Sequence, residues 1–227
     1  MPGMSPEKPS WLELLAGRRS IRRYRPDPIA TTTIERILTA ACWAPSAHNR
    51  QPWRFALLRS LSWKDRLARA MGERLRAERL RDGDPPCLVD EDVARSYKRI
   101  AEAPIVILVA LDMADMDRYP DGRQRAEHLM AVQSTAMATQ NLLLAAHAEG
   151  LGACWMCAPL FCPDRVKGCW VCQRIGIRRP SSRSANRRTT ASQPRGCRSA
   201  QCHGHPTASQ LSVDLKRSVS ILMQSPR

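Results

Sequence analysis

Four polar residues crowd five positions near one end of this chain: Arg18, Arg19, Ser20 and Arg22. A guanidinium grips phosphate or carboxylate through two parallel hydrogen bonds, and a serine hydroxyl adds a neutral donor. That set suits an anion site; the plainer alternative is a solvated basic turn. A second cluster lies in "PSAHNRQPW", Pro45 to Trp53, where Asn49 and Gln51 bring carboxamides. Amides read the carbonyl and N–H edge of a planar heterocycle without adding charge. His48, inside the same stretch, could donate a proton, but it is read here as a loop histidine that packs or faces solvent. A third candidate is thiolate chemistry. Cys154-x-x-Cys157 and Cys169-x-x-Cys172 have the pairing of a tetrahedral zinc site. Further on, Cys197, Cys202, His203 and His205 follow no regular ligand spacing and lack interleaved aromatics, so a zinc- or nucleic-acid-binding protein is the minor alternative.

Elements must position these groups. Trp11 to Gly17 reads as a short amphipathic helix, capped by Ser10 and stopped by Gly17. The arginine stretch follows, extended, and ends at Pro26 and Pro28. Thr31 to Trp43 has apolar residues at Ile34, Ile37, Leu38 and Ala41, the helical period, and stops before Pro45. Trp53 to Leu58 reads as a strand. Ser62 to Leu80 is helical, Asp82 to Pro86 a loop or lid, and Asp90 to Glu102 helical again. Pro104 to Leu111 is a β-branched run fit for a central strand. Arg125 to Glu149 is the longest helix, with Val132, Ala136, Thr139, Leu143 and Ala146 on a stripe of mostly small residues that suits burial in a subunit contact. Gly150 and Gly152 end it, "ACWMC" starts a strand, and Pro159 to Val166 begins another helix. Unequal helices separating the strands indicate an α+β fold rather than a regular βαβ repeat.

Composition bounds the classes. The chain has 227 residues, 43% hydrophobic, with a formal net charge of +15. Residues 1–166 hold 24 Lys and Arg against 20 Asp and Glu, whereas residues 167–227 hold 12 against Asp214 alone. The basicity therefore belongs to the tail and is a weak argument for a nucleic-acid partner. The longest apolar run, "APIVILVAL", is far short of the ~20 residues of a spanning helix. With no charged-then-apolar leader, the nine cysteines read as cytoplasmic thiols.

Taken together, "RRSIRRY", then "APSAHNRQPWRF", then "QSTAMATQNLLLAAHAEGLGACWM" resemble the nitroreductase family of flavin mononucleotide (FMN) enzymes, over residues 11–166. The resemblance implies an α+β fold with a mostly antiparallel central sheet flanked by helices. It implies a homodimer that passes hydride from NAD(P)H through FMN to a small electron-poor acceptor, with no protein nucleophile. Arg18, Arg19, Ser20 and Arg22 match the family's phosphate- and ribityl-binding motif. Pro45, Ser46, Asn49 and Gln51 match the segment that reaches the flavin, usually from the partner subunit. Leu151 and Gly152 match a turn beside the reactive ring nitrogen, where a backbone N–H would stabilise negative charge on the reduced flavin.

From Gly168 onward the resemblance stops, with no period of 2 or 3.6 and scattered Arg, Ser and Cys. The genetic code offers a reason. Reread from the third base of each codon, this segment can encode a Leu-Ile-Ala-Leu strand like the family's own continuation. The expectation is a domain over 1–166 and a basic, out-of-frame, disordered tail over 167–227. The sheet would lack its last strand, and the chain could be an inactive product of such a gene.

Overall fold

The computed structural model describes residues 10–166 and the backbone of 218–224. Helix α1 (Trp11–Gly17) begins at a reciprocal cap. The Ser10 hydroxyl accepts from the Glu13 N–H at 3.3 Å, and the Ser10 N–H donates to the Glu13 carboxylate at 2.8 Å. Those bonds hold the Glu13 carboxyl below its ordinary value. Next come α2 (Thr31–Cys42), β1 (Trp53–Leu58), α3 (Leu61–Arg81) and α4 (Pro86–Ala101). They are followed by β2 (Ile105–Leu111), α5 (Arg123–Ala148), β3 (Gly152–Met156) and β4 (Ser218–Gln224).

The strands form one sheet in the order β1-β2-β4-β3, every neighbouring pair antiparallel. All seven residues of β2 are buried, because successive side chains point to opposite faces and both faces are covered. Ile105, Ile107 and Val109 pack with Ile34, Ile37 and Leu38 of α2 and Leu142, Leu143 and Ala146 of α5. Val106 and Leu108 turn the other way, onto Leu67, Ala68 and Met71 of α3 and Ile100 of α4. Each such aliphatic side chain contributes about 1.5–3 kcal/mol on burial, which is why β2 anchors both cores.

Several sequence expectations shift. Helix α4 starts four residues before Asp90, at Pro86, whose ring fits the first helical turn where its missing N–H has no role. The segment after β3 makes a 3-10 turn at Ala158–Phe161 before helix resumes at Pro163. The stripe expected on α5 divides: Thr139, Leu143 and Ala146 are buried, whereas Val132 looks outward beside exposed Leu129 and Met137.

The sheet does not lack its last strand. Ser218–Gln224 fills the place between β2 and β3, with Leu222 opposite both Val106 and Cys154. A buried strand such as β2 needs a backbone partner along each edge, and "SVSILMQ" is a β-branched, aliphatic run able to provide one. It lies far beyond the point where periodicity fails, which is why the sequence reading passed over it. The other expectations for the tail, including the Cys169–Cys172 pair, Cys197, Cys202, His203 and His205, lie outside the described residues.

Candidate functional site

The arginine stretch docks on the sheet through its backbone. Ser20 bridges to Ala153, and the Ile21 N–H donates to the Ala153 carbonyl at 3.0 Å. This lays Ile21 across Gly152 so closely that a Cβ there would come within 3.0 Å of the isoleucine side chain. Gly152 is thus the residue that lets the two segments touch. This backbone contact sets the stretch that carries Arg18, Arg19, Ser20 and Arg22 against the start of β3, next to the Leu151–Gly152 turn.

The guanidinium groups divide by partner. Arg19 folds back to donate to the carbonyls of Ala16 and Arg18, which closes the end of α1. Arg25 pairs with Asp27. Arg18, Arg22 and Arg23 have no acidic partner among the described residues. Three cations on one short stretch with no counter-charge among the described residues suit an anion site. At the turn, Gly150 has a φ of 72°, the left-handed geometry that favours glycine after a helix. The Leu151 N–H donates to Ala146 at 2.8 Å, so it is engaged in ending α5.

The second cluster is a strained loop. His48, Asn49 and Gln51 have φ of 50°, 51° and 48°, left-handed values uncommon outside glycine and concentrated at functional sites. What holds them is a set of short bonds. The Ser46 hydroxyl accepts from the Gln51 N–H at 3.0 Å, and the Asn49 N–H donates to the Ser46 carbonyl at 3.0 Å. The Ala47 N–H donates to Ser134 Oγ on α5 at 3.2 Å. Ser46 is thus a scaffold for the loop, while Pro45 and Asn49 are exposed and Gln51 half-buried. Arginines here are neutralised: Arg50 pairs with Asp117 at 2.8 Å, and Arg54 with Asp112 at 2.9 Å.

The two clusters do not meet within one chain. The loop enters the start of β1, an edge strand, and the arginine stretch sits at the start of β3, the opposite edge. Three inter-strand steps separate those edges, about 14 Å. The register also places Trp53 and Gly152 at opposite ends of the sheet, so the clusters occupy diagonal corners. Along α5, Ser134 under the loop and Ala146 under the turn are twelve residues apart, about 18 Å of helix.

The sequence profile of the nitroreductase family matches residues 15–182. The chain belongs to the nitroreductase family. A provisionally named NADH dehydrogenase/NAD(P)H nitroreductase of Methanothermobacter thermautotrophicus is 32% identical over 158 residues, 69% of this chain and 65% of the relative. The NADH dehydrogenase of Thermus thermophilus is 30% identical over 175 residues, 66% of this chain and 73% of the relative. The chain spans just under two thirds of the archaeal relatives it matches, 65% and 66%. Among solved structures, a BluB-like flavoprotein of Clostridium difficile 630 superposes with a TM-score of 0.60 at 17% identity, covering 82% of this chain and 95% of that one. The FMN-dependent nitroreductase NfnB of Mycobacterium smegmatis, in complex with NADPH, gives 0.58 at 19%, covering 94% and 86%. These likenesses show the nitroreductase fold.

Of the cysteine pairs, Cys154 is buried in β3 while Cys157 is exposed, and neither joins a metal-ligating group among the described residues. Sequence reasoning missed Ser134 and Glu127. Ser134 also donates to the Met130 carbonyl one turn back, as any helical serine can, so nothing in its pattern marks a tether. Glu127 looks like one more solvated charge on a long helix, yet it is buried.

Proposed function

We propose that this nitroreductase-family protein is an FMN-dependent oxidoreductase that passes hydride from NAD(P)H to an electron-poor acceptor such as a quinone or nitroaromatic, as a cytoplasmic homodimer. The observation that carries the reading is the unpaired cationic corner. Among the described residues Arg18 and Arg22 have no acidic partner, and their stretch lies against a turn where Gly152 leaves room for Ile21. That donor set fits a phosphate-bearing cofactor, with Ser20 adding a neutral hydroxyl and Arg19 turned toward the end of α1. When bound, FMN would supply the redox chemistry that no side chain here provides. The protein's part is to hold the phosphate, to set the Leu151–Gly152 turn beside the flavin ring, and to exclude water.

The diagonal placement supports a dimer. A two-fold contact presents the same surface from both copies, so the Pro45–Gln51 loop of one copy can complete the arginine corner of the other. Exposed apolar residues are available for such a contact: Leu129, Val132 and Met137 on α5, Trp11, Leu12 and Leu15 on α1, and Trp43. An isolated protein rarely leaves so many large apolar side chains in water. The free thiols of the described cysteines agree with a reducing compartment.

The test is direct. The full chain, purified and supplied with FMN, should turn yellow, run as a dimer, and oxidise NADH or NADPH with menadione or nitrofurazone as acceptor. A folded protein that takes up no flavin would overturn the reading and leave the inactive product as the better account.

A further inference from the structure

Glu127 lies in the second turn of α5, only 4% exposed, and its Oε2 has no hydrogen-bond partner among the described residues. A buried carboxylate oxygen left unpaired is costly, and native proteins almost always satisfy such an atom with a donor, a proton or an ion. Two residues from separate loops converge on it. His48 comes from the strained loop before β1, and Asp117 from the connection between β2 and α5. One ligand atom from each of the three lies within 4.8 Å of the other two.

The convergence has a structural cause. Ser134, which tethers the loop through the Ala47 N–H, lies seven residues beyond Glu127 and so shares its face of α5. Arg50, two residues past His48, ties the same loop to Asp117 through Oδ1. We propose that His48, Asp117 and Glu127 form a divalent-cation site of the kind that suits Mn2+, set beside the amide loop. One imidazole and two carboxylates are the intermediate-to-hard donors such an ion takes, with water completing its shell. Bonds of about 2.0–2.2 Å bring neighbouring ligands about 3 Å apart. His48 and Asp117 both come from loops, so their side chains can turn toward the buried Glu127 carboxylate to close the remaining gaps. The ion would lock the loop to α5 and to the Asp112–Asp121 connection at once.

The experiment uses the full chain, stripped with chelator and titrated with Mn2+, free ion being followed by its paramagnetic resonance. Mn2+ is chosen because nine cysteines compete for softer ions. One equivalent should bind, and Glu127→Gln and His48→Ala should each raise the dissociation constant at least about tenfold. Should Glu127→Gln fold poorly, His48→Ala, on the exposed loop, carries the same comparison. Absence of saturable binding to the unaltered chain, or equal binding by His48→Ala, would overturn the site. Flavin content, read from visible absorbance on the same samples, keeps loss of the cation distinct from loss of FMN.

Discussion

The two corners of the sheet use arginine in opposite ways. At the β3 corner the main chain does the fixing, through the Ser20 bridge and the Ile21 N–H, and Arg18, Arg22 and Arg23 have no acidic partner among the described residues. At the β1 corner the side chains do the fixing: Arg50 holds Asp117, Arg54 holds Asp112 and Asp115, and Ser46 and Ser134 pin a loop with three left-handed residues. A guanidinium with a carboxylate against it is structural; one without is available to a ligand. The difference teaches where to look for binding energy and where for shape.

The largest effect should come from the strand that spans both corners' sheet. Ending the chain after Lys216 removes β4, which pairs with β2 on one side and β3 on the other. The β3 corner would then lose its sheet connection to the β1 half and be held only through the core it shares with α5, so cooperative thermal unfolding by circular dichroism should weaken sharply or vanish. A sharp transition in the shortened chain would show that the halves hold together without it.

Next, Arg18→Ala with Arg22→Ala should weaken FMN binding by roughly two decades or more, since hydrogen bonds to charged groups contribute about 1.5–3 kcal/mol each. Arg50→Ala should leave phosphate affinity largely intact while loosening the loop. Fluorescence titration of FMN into the three proteins decides it, and equal losses would erase the distinction between the corners.

Ser134→Ala should cost about 1 kcal/mol, the ordinary worth of one hydrogen bond, by releasing the Ala47 N–H. Faster hydrogen exchange confined to residues 46–51 would show the tether at work.

The smallest effect tests a paired arginine at the β3 corner. Arg36 donates to Glu149 through two bonds of 2.8 and 2.6 Å, just before the turn at Gly150. The guanidinium holds the Glu149 carboxyl below its ordinary 4.5. A depressed carboxyl stabilises the fold above its ordinary value, and that contribution is lost as pH falls through the folded value. Arg36→Ala should therefore lower the melting temperature slightly at pH 7, because the pair is largely exposed. The gap from the parent should narrow as pH falls below 4.5, through the lowered folded value. A gap that persists in acid would mean that Arg36 acts by packing.

Much of this was legible in the chain. The limits of α1 and β1 follow from a capping serine, a terminal glycine and flanking prolines, all local signals. The seven-residue apolar run of β2 announced a central strand because no exposed strand would carry one. The motif residues at both corners were visible by type and order. What was not visible depends on distance in sequence. Nothing near Ser218–Gln224 says that it pairs with residues more than sixty and a hundred positions upstream. The outward turn of Val132 and the burial of Glu127 depend on which side of α5 meets the sheet, and the small residues of that helix mark no single side. The left-handed residues of the loop are His, Asn and Gln, so no glycine betrayed the turn.

The position of β4 also sets a clock. Met156 and Ser218 lie 62 positions apart, so a ribosome adding about 5–20 residues per second needs roughly 3–12 s to travel between them. Throughout that interval the newborn chain already has β1, β2 and β3, but not the strand that joins β2 to β3. The sheet can therefore close only seconds after β3 has been made, so chaperone supply and translation speed should affect the yield of native protein.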